Sequence, residues 1–73
     1  MTPKSNANLS NRELQIFELV GQGLIVREIA EQLVVSVKTV ESHRGEVMKR
    51  LDIHDIVGLV RYAMRVRLVA LTS

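Results

Sequence analysis

Apolar residues recur along this chain at intervals of three and four positions, the spacing that places them on one face of an α-helix. Four segments show this spacing, at about residues 10–20, 26–34, 37–51 and 56–69. No stretch alternates apolar and polar residues for long enough to predict a strand. The pattern therefore predicts an all-α fold, a bundle of four helices.

The boundaries of the first predicted helix are marked by capping residues. Ser10 and Glu13 form the S-x-x-E capping box, in which each side chain accepts a hydrogen bond from the backbone amide of the other residue. Gly21 and Gly23 are predicted to provide the left-handed backbone that ends this helix.

The later helices differ in how well their starts are capped. Ser36 is the predicted N-cap of the third helix, and Asp55 is the predicted N-cap of the fourth. The second helix follows Ile25 and Val26, which offer no capping side chain, so its start is predicted to be under-capped.

The third predicted helix has two chemically different sides. With Val40 as the origin and about 100° per residue, one side is apolar. Its members are Val37, Val40, Val47, Met48 and Leu51. The opposite side is a polar stripe with positive charge, made of Lys38, Ser42, Gly45 and Lys49. Thr39, His43 and Arg50 form a second row along one flank of this stripe, and Glu41 and Glu46 lie between or beside the two rows.

That stripe admits two interpretations. It could be a solvated surface, or it could enter the major groove of DNA, with Lys38 and Lys49 on phosphates and Ser42 on a base edge. Glycine inside a helix costs about 1 kcal/mol relative to alanine. A close approach of the helix backbone to a base would explain why glycine occupies position 45. The short second helix, tight connection and longer third helix form a helix-turn-helix layout, which favours the DNA interpretation.

The fourth predicted helix has a wider apolar arc than one packing partner requires. Leu59, Val60 and Ala63 are predicted to face the core. A second group consists of Val57, Arg61, Met64 and Leu68. This group is either a further core contact or the interface of a two-fold dimer.

Length, charge and cysteine usage narrow the possible classes of protein. The 73 residues suffice for one domain, predicted at residues 9–73, and residues 1–8 are predicted to be a tail or linker stub. The net charge is −1 over residues 1–35 and +3 over residues 36–73, which favours an anionic partner for the second half. The absence of cysteine and of a long apolar run predicts a cytoplasmic protein without a membrane partner.

Catalytic and cofactor chemistry is not indicated. His43 and His54 belong to no triad or ligand-spaced cluster, and the chain has no phosphate-binding glycine loop. We therefore predict no enzyme activity, no metal, no cofactor and no small-molecule ligand. Phe17 and Tyr62 are the two aromatic residues, too few to stack the bases of a single strand.

Several motifs together resemble a known family. They are Leu9-Ser10-x-Arg12-Glu13, Gly23-Leu24, Arg27-Glu28-Ile29-Ala30, Leu33, the run from Ser36 to Arg44, and Lys49-Arg50-Leu51. Over about residues 9–69 the chain is similar to the LuxR/FixJ-type (GerE-like) DNA-binding domain of bacterial transcription regulators. The resemblance implies a third helix that reads the major groove and a fourth that commonly makes the dimer contact. It also implies the effector domain of a two-component response regulator or a stand-alone small regulator.

Position by position, the resemblance assigns roles to individual residues. The implied base-reading residues are Glu41, Ser42 and Gly45. The implied backbone-contacting residues are Arg27, Lys38, Thr39, His43 and Lys49. The implied partners are double-stranded DNA and a second copy of the chain, with RNA polymerase as a further candidate. Asp52 and Arg67 occupy positions where the family commonly has glycine. This departure affects the expected loop geometry more than the expected function.

Two alternative functions remain open at this point. A region-four-like domain of a sigma factor shares the Glu-Ile-Ala and Thr-Val spacing, although a dimer-forming fourth helix would be unexpected there. A helical interaction module without DNA affinity would instead act through pairing of the fourth helix.

Overall fold

The computed structural model describes residues 9–72 as four helices joined by short connections. They are α1 (Asn11–Gly21), α2 (Val26–Leu33), α3 (Val37–Leu51) and α4 (Ile56–Thr72). The described residues contain no strand, so the predicted all-α class and the count of four helices are confirmed. Residues 1–8, for which a tail or linker stub was predicted, lie outside the described residues, as does Ser73.

Each helix contributes side chains to one core. α1 packs against both α3 and α4, and α2 packs mainly against α3. The buried apolar residues are Ile16, Phe17, Leu19, Val20, Ile29, Ala30, Val40, Val47, Leu59 and Ala63. The rings of Phe17 and Tyr62 lie 5.8 Å apart between centroids in a tilted arrangement, which joins α1 to α4.

The predicted N-caps of α1 and α3 are confirmed. The Ser10 Oγ accepts a hydrogen bond from the Glu13 amide, and the Glu13 Oε1 accepts one from the Ser10 amide, both at 3.1 Å. At α3 the Ser36 Oγ accepts from the Thr39 amide at 3.0 Å. Each bond satisfies one of the amides that a helix start leaves without a partner.

The start of α2 is better capped than the sequence suggested. Ile25 has no hydrogen-bonding side chain, but its amide donates to the Glu28 Oε1 at 2.9 Å. One half of a capping box is therefore present, because the carboxylate three residues into the helix reaches back to the residue before it. At α4 the Asp55 Oδ1 accepts from the Gly58 amide at 2.7 Å, as predicted for an N-cap.

Gly21 is the last residue of α1, but it does not adopt the left-handed backbone that was predicted for it. It is a buried helical residue, and a Cβ built on it would lie 2.8 Å from the Ala63 carbonyl oxygen. Gly23 is the residue that adopts the left-handed backbone, with φ of +92°. Gly21 is required for a different reason, since it lets α1 approach the backbone of α4.

Among residues 9–72, the left-handed backbone occurs at two further positions, both of which follow a helix. Val34 after α2 has φ of 58° and ψ of 49°, and Asp52 after α3 has φ of 58° and ψ of 42°. Aspartate tolerates this conformation, so Asp52 can take the place of the glycine that is common in the family without a change of loop geometry. A valine in it is strained because its branched Cβ crowds the backbone.

Two predicted details differ from the structure. Val37 was assigned to the apolar side of the third helix, but it is 41% exposed because it lies in the first turn, ahead of the contact with α1. α4 continues to Thr72, three residues past the predicted end near Val69.

Within residues 9–72, no helix is both long and apolar enough to cross a bilayer.

Replacing Gly21 by alanine is expected to lower the free energy of unfolding by about 1–3 kcal/mol, because the added methyl group would overlap the Ala63 carbonyl. Urea denaturation followed by circular dichroism measures this change. Gly45→Ala is the matched control, since no atom lies within 4 Å of the added Cβ, and it should raise stability by up to about 1 kcal/mol. Equal effects at the two glycines would contradict the close approach of α1 to α4.

Candidate nucleic-acid interface

The connection between α2 and α3 fixes the direction in which α3 projects. The Val35 amide donates to the Ala30 carbonyl at 3.0 Å, so the chain turns back on the end of α2. The Ser36 hydroxyl then donates to the Thr39 Oγ1 at 2.8 Å while it accepts from the Thr39 amide. Thr39 keeps its own hydroxyl proton for a further acceptor. The start of α3 is thereby held rigidly.

Apart from Val37, α3 separates its apolar and polar sides as its sequence predicted. Val40 and Val47 are 0% and 1% exposed and face the other helices. Most of the predicted DNA-contacting residues are exposed, namely Arg27, Lys38, Glu41, Ser42, Gly45 and Lys49. Thr39 and His43 are half-buried along the flank. All of these residues except Arg27 belong to α3.

The charges on this face are mostly available to a partner. Lys38 forms no salt bridge with any residue in the range 9–72. The Lys49 Nζ lies 3.8 Å from the Glu46 Oε2, but the Lys49 side chain is 77% exposed. An exposed pair of this kind contributes little and is readily exchanged for another anion.

Gly45 differs from the other glycines in its surroundings. Gly21 and Gly58 each have a backbone or side-chain oxygen that a Cβ would overlap, and Gly23 has a positive φ. A Cβ on Gly45 would meet no atom within 4 Å. No packing within the described residues therefore requires glycine at this position, on the exposed side of α3.

Arg50 has a role that the sequence pattern missed. Its Nε lies 3.5 Å from the Glu13 Oε1, and the Glu13 side chain is 7% exposed. The carboxylate that caps α1 therefore also holds the last turn of α3. The capping box identified Glu13 from local spacing, but no signal in the sequence links it to a residue thirty-seven positions away.

The location of Arg44 on the packing side of α3 was also not predicted, although helical geometry indicates it. Arg44 lies at about 40° from Val40, on the packing side of α3. There it lines a cleft of about 470 Å³ together with Glu41, the start of α2 at Ile25 and the start of α4 at Ile56. The first turn of α4 is thus beside the part of α3 for which DNA contacts are predicted.

The predicted dimer residues of α4 are accessible. Val57, Met64 and Leu68 are 64%, 45% and 63% exposed, and Arg61 is exposed as well. These four residues therefore do not extend the core of the single chain. Pairing through them stays a prediction.

The histidines are not brought together. The His54 Nε2 lies 3.1 Å from the Asp52 Oδ1 in the exposed turn after α3, whereas His43 is on α3. Among residues 9–72, no group of three or more His, Asp or Glu side chains could hold a metal ion.

Comparison with known proteins gives consistent matches. A family model described as bacterial regulatory proteins of the luxR family matches residues 7–63. The uncharacterized response regulatory protein YgeK of Escherichia coli (strain K12) is 44% identical over 61 residues, which cover 84% of this chain and 42% of that protein. The oxygen regulatory protein NreC of Staphylococcus carnosus (strain TM300) is 47% identical over 60 residues, which cover 82% and 28%.

A third relative also matches most of this chain over less than half of its own length. The Fimbriae Z protein of Salmonella typhimurium is 40% identical over 65 residues, covering 85% of this chain and 31% of that protein. The chain therefore spans less than half the length of each of these curated relatives.

Arg50→Met is expected to lower the free energy of unfolding by about 1–2 kcal/mol, because the buried Glu13 carboxylate loses its cation. Urea denaturation measures the change. Lys49→Met at the neighbouring position is the matched control and should stay within about 0.5 kcal/mol, since its pair with Glu46 is exposed. If Arg50→Met behaved like this control, Glu13 would not depend on Arg50.

Proposed function

Because the chain belongs to the luxR family of bacterial regulatory proteins, we propose that it binds double-stranded DNA sequence-specifically and thereby regulates transcription. The observation that carries the proposal is the exposed side of α3, where Lys38, Ser42, Gly45 and Lys49 form one continuous stripe opposite the buried Val40. α3 enters the major groove, which is wide enough to admit a helix.

Contacts to the DNA backbone set the position of the domain. Lys38 and Lys49 neutralise phosphates on the two walls of the groove. Arg27 at the start of α2 reaches the same backbone. The free hydroxyl proton of Thr39 and the imidazole of His43 donate to further phosphate oxygens along the flank.

Contacts to base edges supply sequence preference. The Glu41 carboxylate accepts from a cytosine amino group, and the Ser42 hydroxyl bonds a neighbouring base edge. Gly45 lets the backbone of α3 lie close to the bases, where a side chain would hold it away. A carboxylate beside phosphates repels them, so Glu41 acts in specificity rather than in affinity.

The biological setting follows from the relatives. The protein named as an uncharacterized response regulatory protein, YgeK, contains a region similar to this chain, and that region is 42% of its length. We propose that the domain is the effector of a two-component response regulator, or a small regulator by itself, in the bacterial cytoplasm. It acts as a homodimer on DNA through Val57, Arg61, Met64 and Leu68 of α4, and RNA polymerase is a further partner.

The match to the luxR family, which extends to residue 63 and so includes the first half of α4, favours this function over a region-four-like sigma domain. A helical interaction module without DNA affinity is the second candidate, supported by the exposed apolar residues of α4. DNA binding requires Lys38 and Lys49 of α3, whereas an interaction module would bind its partner without them.

Replacing Lys38 and Lys49 together by alanine is expected to reduce the slope of log affinity against log salt by about 2, since each lysine releases about one counterion. Affinity at low salt should fall by about 10- to 100-fold. Fluorescence anisotropy with a random-sequence duplex measures both quantities. Arg67→Ala is the control, because Arg67 is exposed beside the groove between α1 and α4, away from the stripe. An unchanged slope in the double variant would favour the interaction module.

Gly45→Ala is expected to weaken DNA binding by about tenfold while it stabilises the free protein, because the methyl group occupies space that the bases need. Anisotropy and urea denaturation on the same sample separate the two effects. Ser42→Ala removes a hydroxyl from the same stripe without adding bulk, and it should change sequence preference more than affinity. Unaltered affinity of Gly45→Ala would exclude close approach at this position.

A further inference from the structure

The cleft between α3 and the starts of α2 and α4 has the size and lining of a small-molecule site. Its volume of about 470 Å³ falls in the range of about 300–1,000 Å³ that is typical of ligand pockets. The residues that line it are apolar apart from Glu41 and Arg44 of α3. Ligand pockets usually combine apolar walls with a few polar groups in this way. The sequence predicted no small-molecule ligand, because these residues come together only in the fold.

The walls of the cleft leave apolar surface in contact with water. Ile25 before α2 and Ile56 at the start of α4 are 63% and 48% exposed, and both line the cleft. Leu24, Val26 and Val60 line it as half-buried side chains. Removal of apolar surface from water is favourable, so an apolar group that covers these side chains is stabilised there. The cleft therefore favours a ligand with an apolar body.

The two charged side chains of the cleft have no partner in the part of the chain that the structure describes. Neither the Glu41 carboxylate nor the Arg44 guanidinium forms a hydrogen bond or salt bridge with any of residues 9–72. Arg44 is half-buried on the packing side of α3. A charge that is partly withdrawn from water and unpaired is unfavourable, so an anion bound beside Arg44 would remove this cost.

The opposite signs of the two charges narrow the class of ligand. Glu41 and Arg44 are three positions apart, which places their Cβ atoms about 5–6 Å from each other on the surface of a helix. A ligand that pairs with both must carry an anionic and a cationic group close together. A free α-amino acid has its carboxylate and ammonium groups on one carbon atom, which also bears the side chain. A fatty acid would instead bring its carboxylate near Glu41 with no cation to offset the repulsion.

We propose that this cleft binds a free α-amino acid with a branched apolar side chain, for which leucine is the probe. The carboxylate pairs with the Arg44 guanidinium, the ammonium group pairs with the Glu41 carboxylate, and the side chain lies in the apolar part of the cleft. Glu41 then no longer accepts from a base edge. That consequence rests on the proposed DNA binding by α3, whereas the amino-acid site itself does not.

Titration of the free chain with leucine, followed by heteronuclear NMR, tests the site directly. The amide signals of Val26, Arg44 and Ile56 are expected to shift and saturate with a dissociation constant of about 1 mM or below. Isocaproate, which is leucine without its amino group, and isoamylamine, which lacks the carboxylate, should each bind at least about tenfold more weakly. The proposal is wrong if leucine causes no saturable shift, or if isocaproate binds as tightly as leucine.

Two variants assign the charges. Arg44→Gln should lower the affinity for leucine by at least about tenfold, and Arg67→Gln is the matched control because Arg67 lies in the groove between α1 and α4. Glu41→Gln should bind leucine and isocaproate with equal affinity, since nothing then selects the ammonium group. A merely structural role of Glu41 would leave the ratio of the two affinities unchanged. Leucine affinity of Arg44→Gln equal to that of Arg67→Gln would overturn the site.

A duplex selected from a random pool tests the shared use of Glu41. Saturating leucine is expected to lower the ratio of its affinity to that of a random-sequence duplex by about fivefold, because one base contact is lost. Arg44→Gln should keep the ratio of the free wild type whether leucine is present or not. An unchanged ratio in wild type would contradict the shared use of Glu41. If wild type bound no duplex at all, the proposed function would fail, and the NMR titration would still decide the amino-acid site.

Discussion

The packing of α1 against both α3 and α4 is the contact on which the rest of this small domain depends. It is possible because Gly21 has no side chain between its backbone and the Ala63 carbonyl, and because the Phe17 and Tyr62 rings meet beside that point. A chain of this length buries only about 60% of its unfolded surface, so its stability depends on a small number of buried side chains. α1 thus supports α3 from within, and α2 braces it on one side.

A helix supported in this way can devote a whole side to a partner. The ends of α3 are fixed by Ser36 and by the pairing of Arg50 with Glu13, so its direction does not depend on the residues of the exposed stripe. Those residues are therefore free to vary in chemistry without loss of the fold. This division between supporting and exposed residues means that one architecture can present different surfaces to a partner.

Much of the fold could be predicted from the sequence because its signals are local. The capping box at Ser10, the cap at Ser36 and the two sides of α3 each depend on spacings of three or four residues, and each was confirmed. The role of Gly21 was not predictable, since glycine is equally typical of a helix end and of a close contact. The pairing of Arg50 with Glu13 joins residues that are far apart in sequence. The candidate DNA contacts could be placed on one face, whereas the bases they meet could not be named.

Val34 shows how such a domain can change over evolutionary time. It holds a left-handed backbone that suits glycine or asparagine far better, and its side chain is 87% exposed. A strained residue of this kind costs about 1–2 kcal/mol, and Val34 lies outside the exposed stripe of α3. Relief of that strain would create a reserve of stability. Variants with that reserve could accept otherwise destabilising substitutions on α3 and still fold.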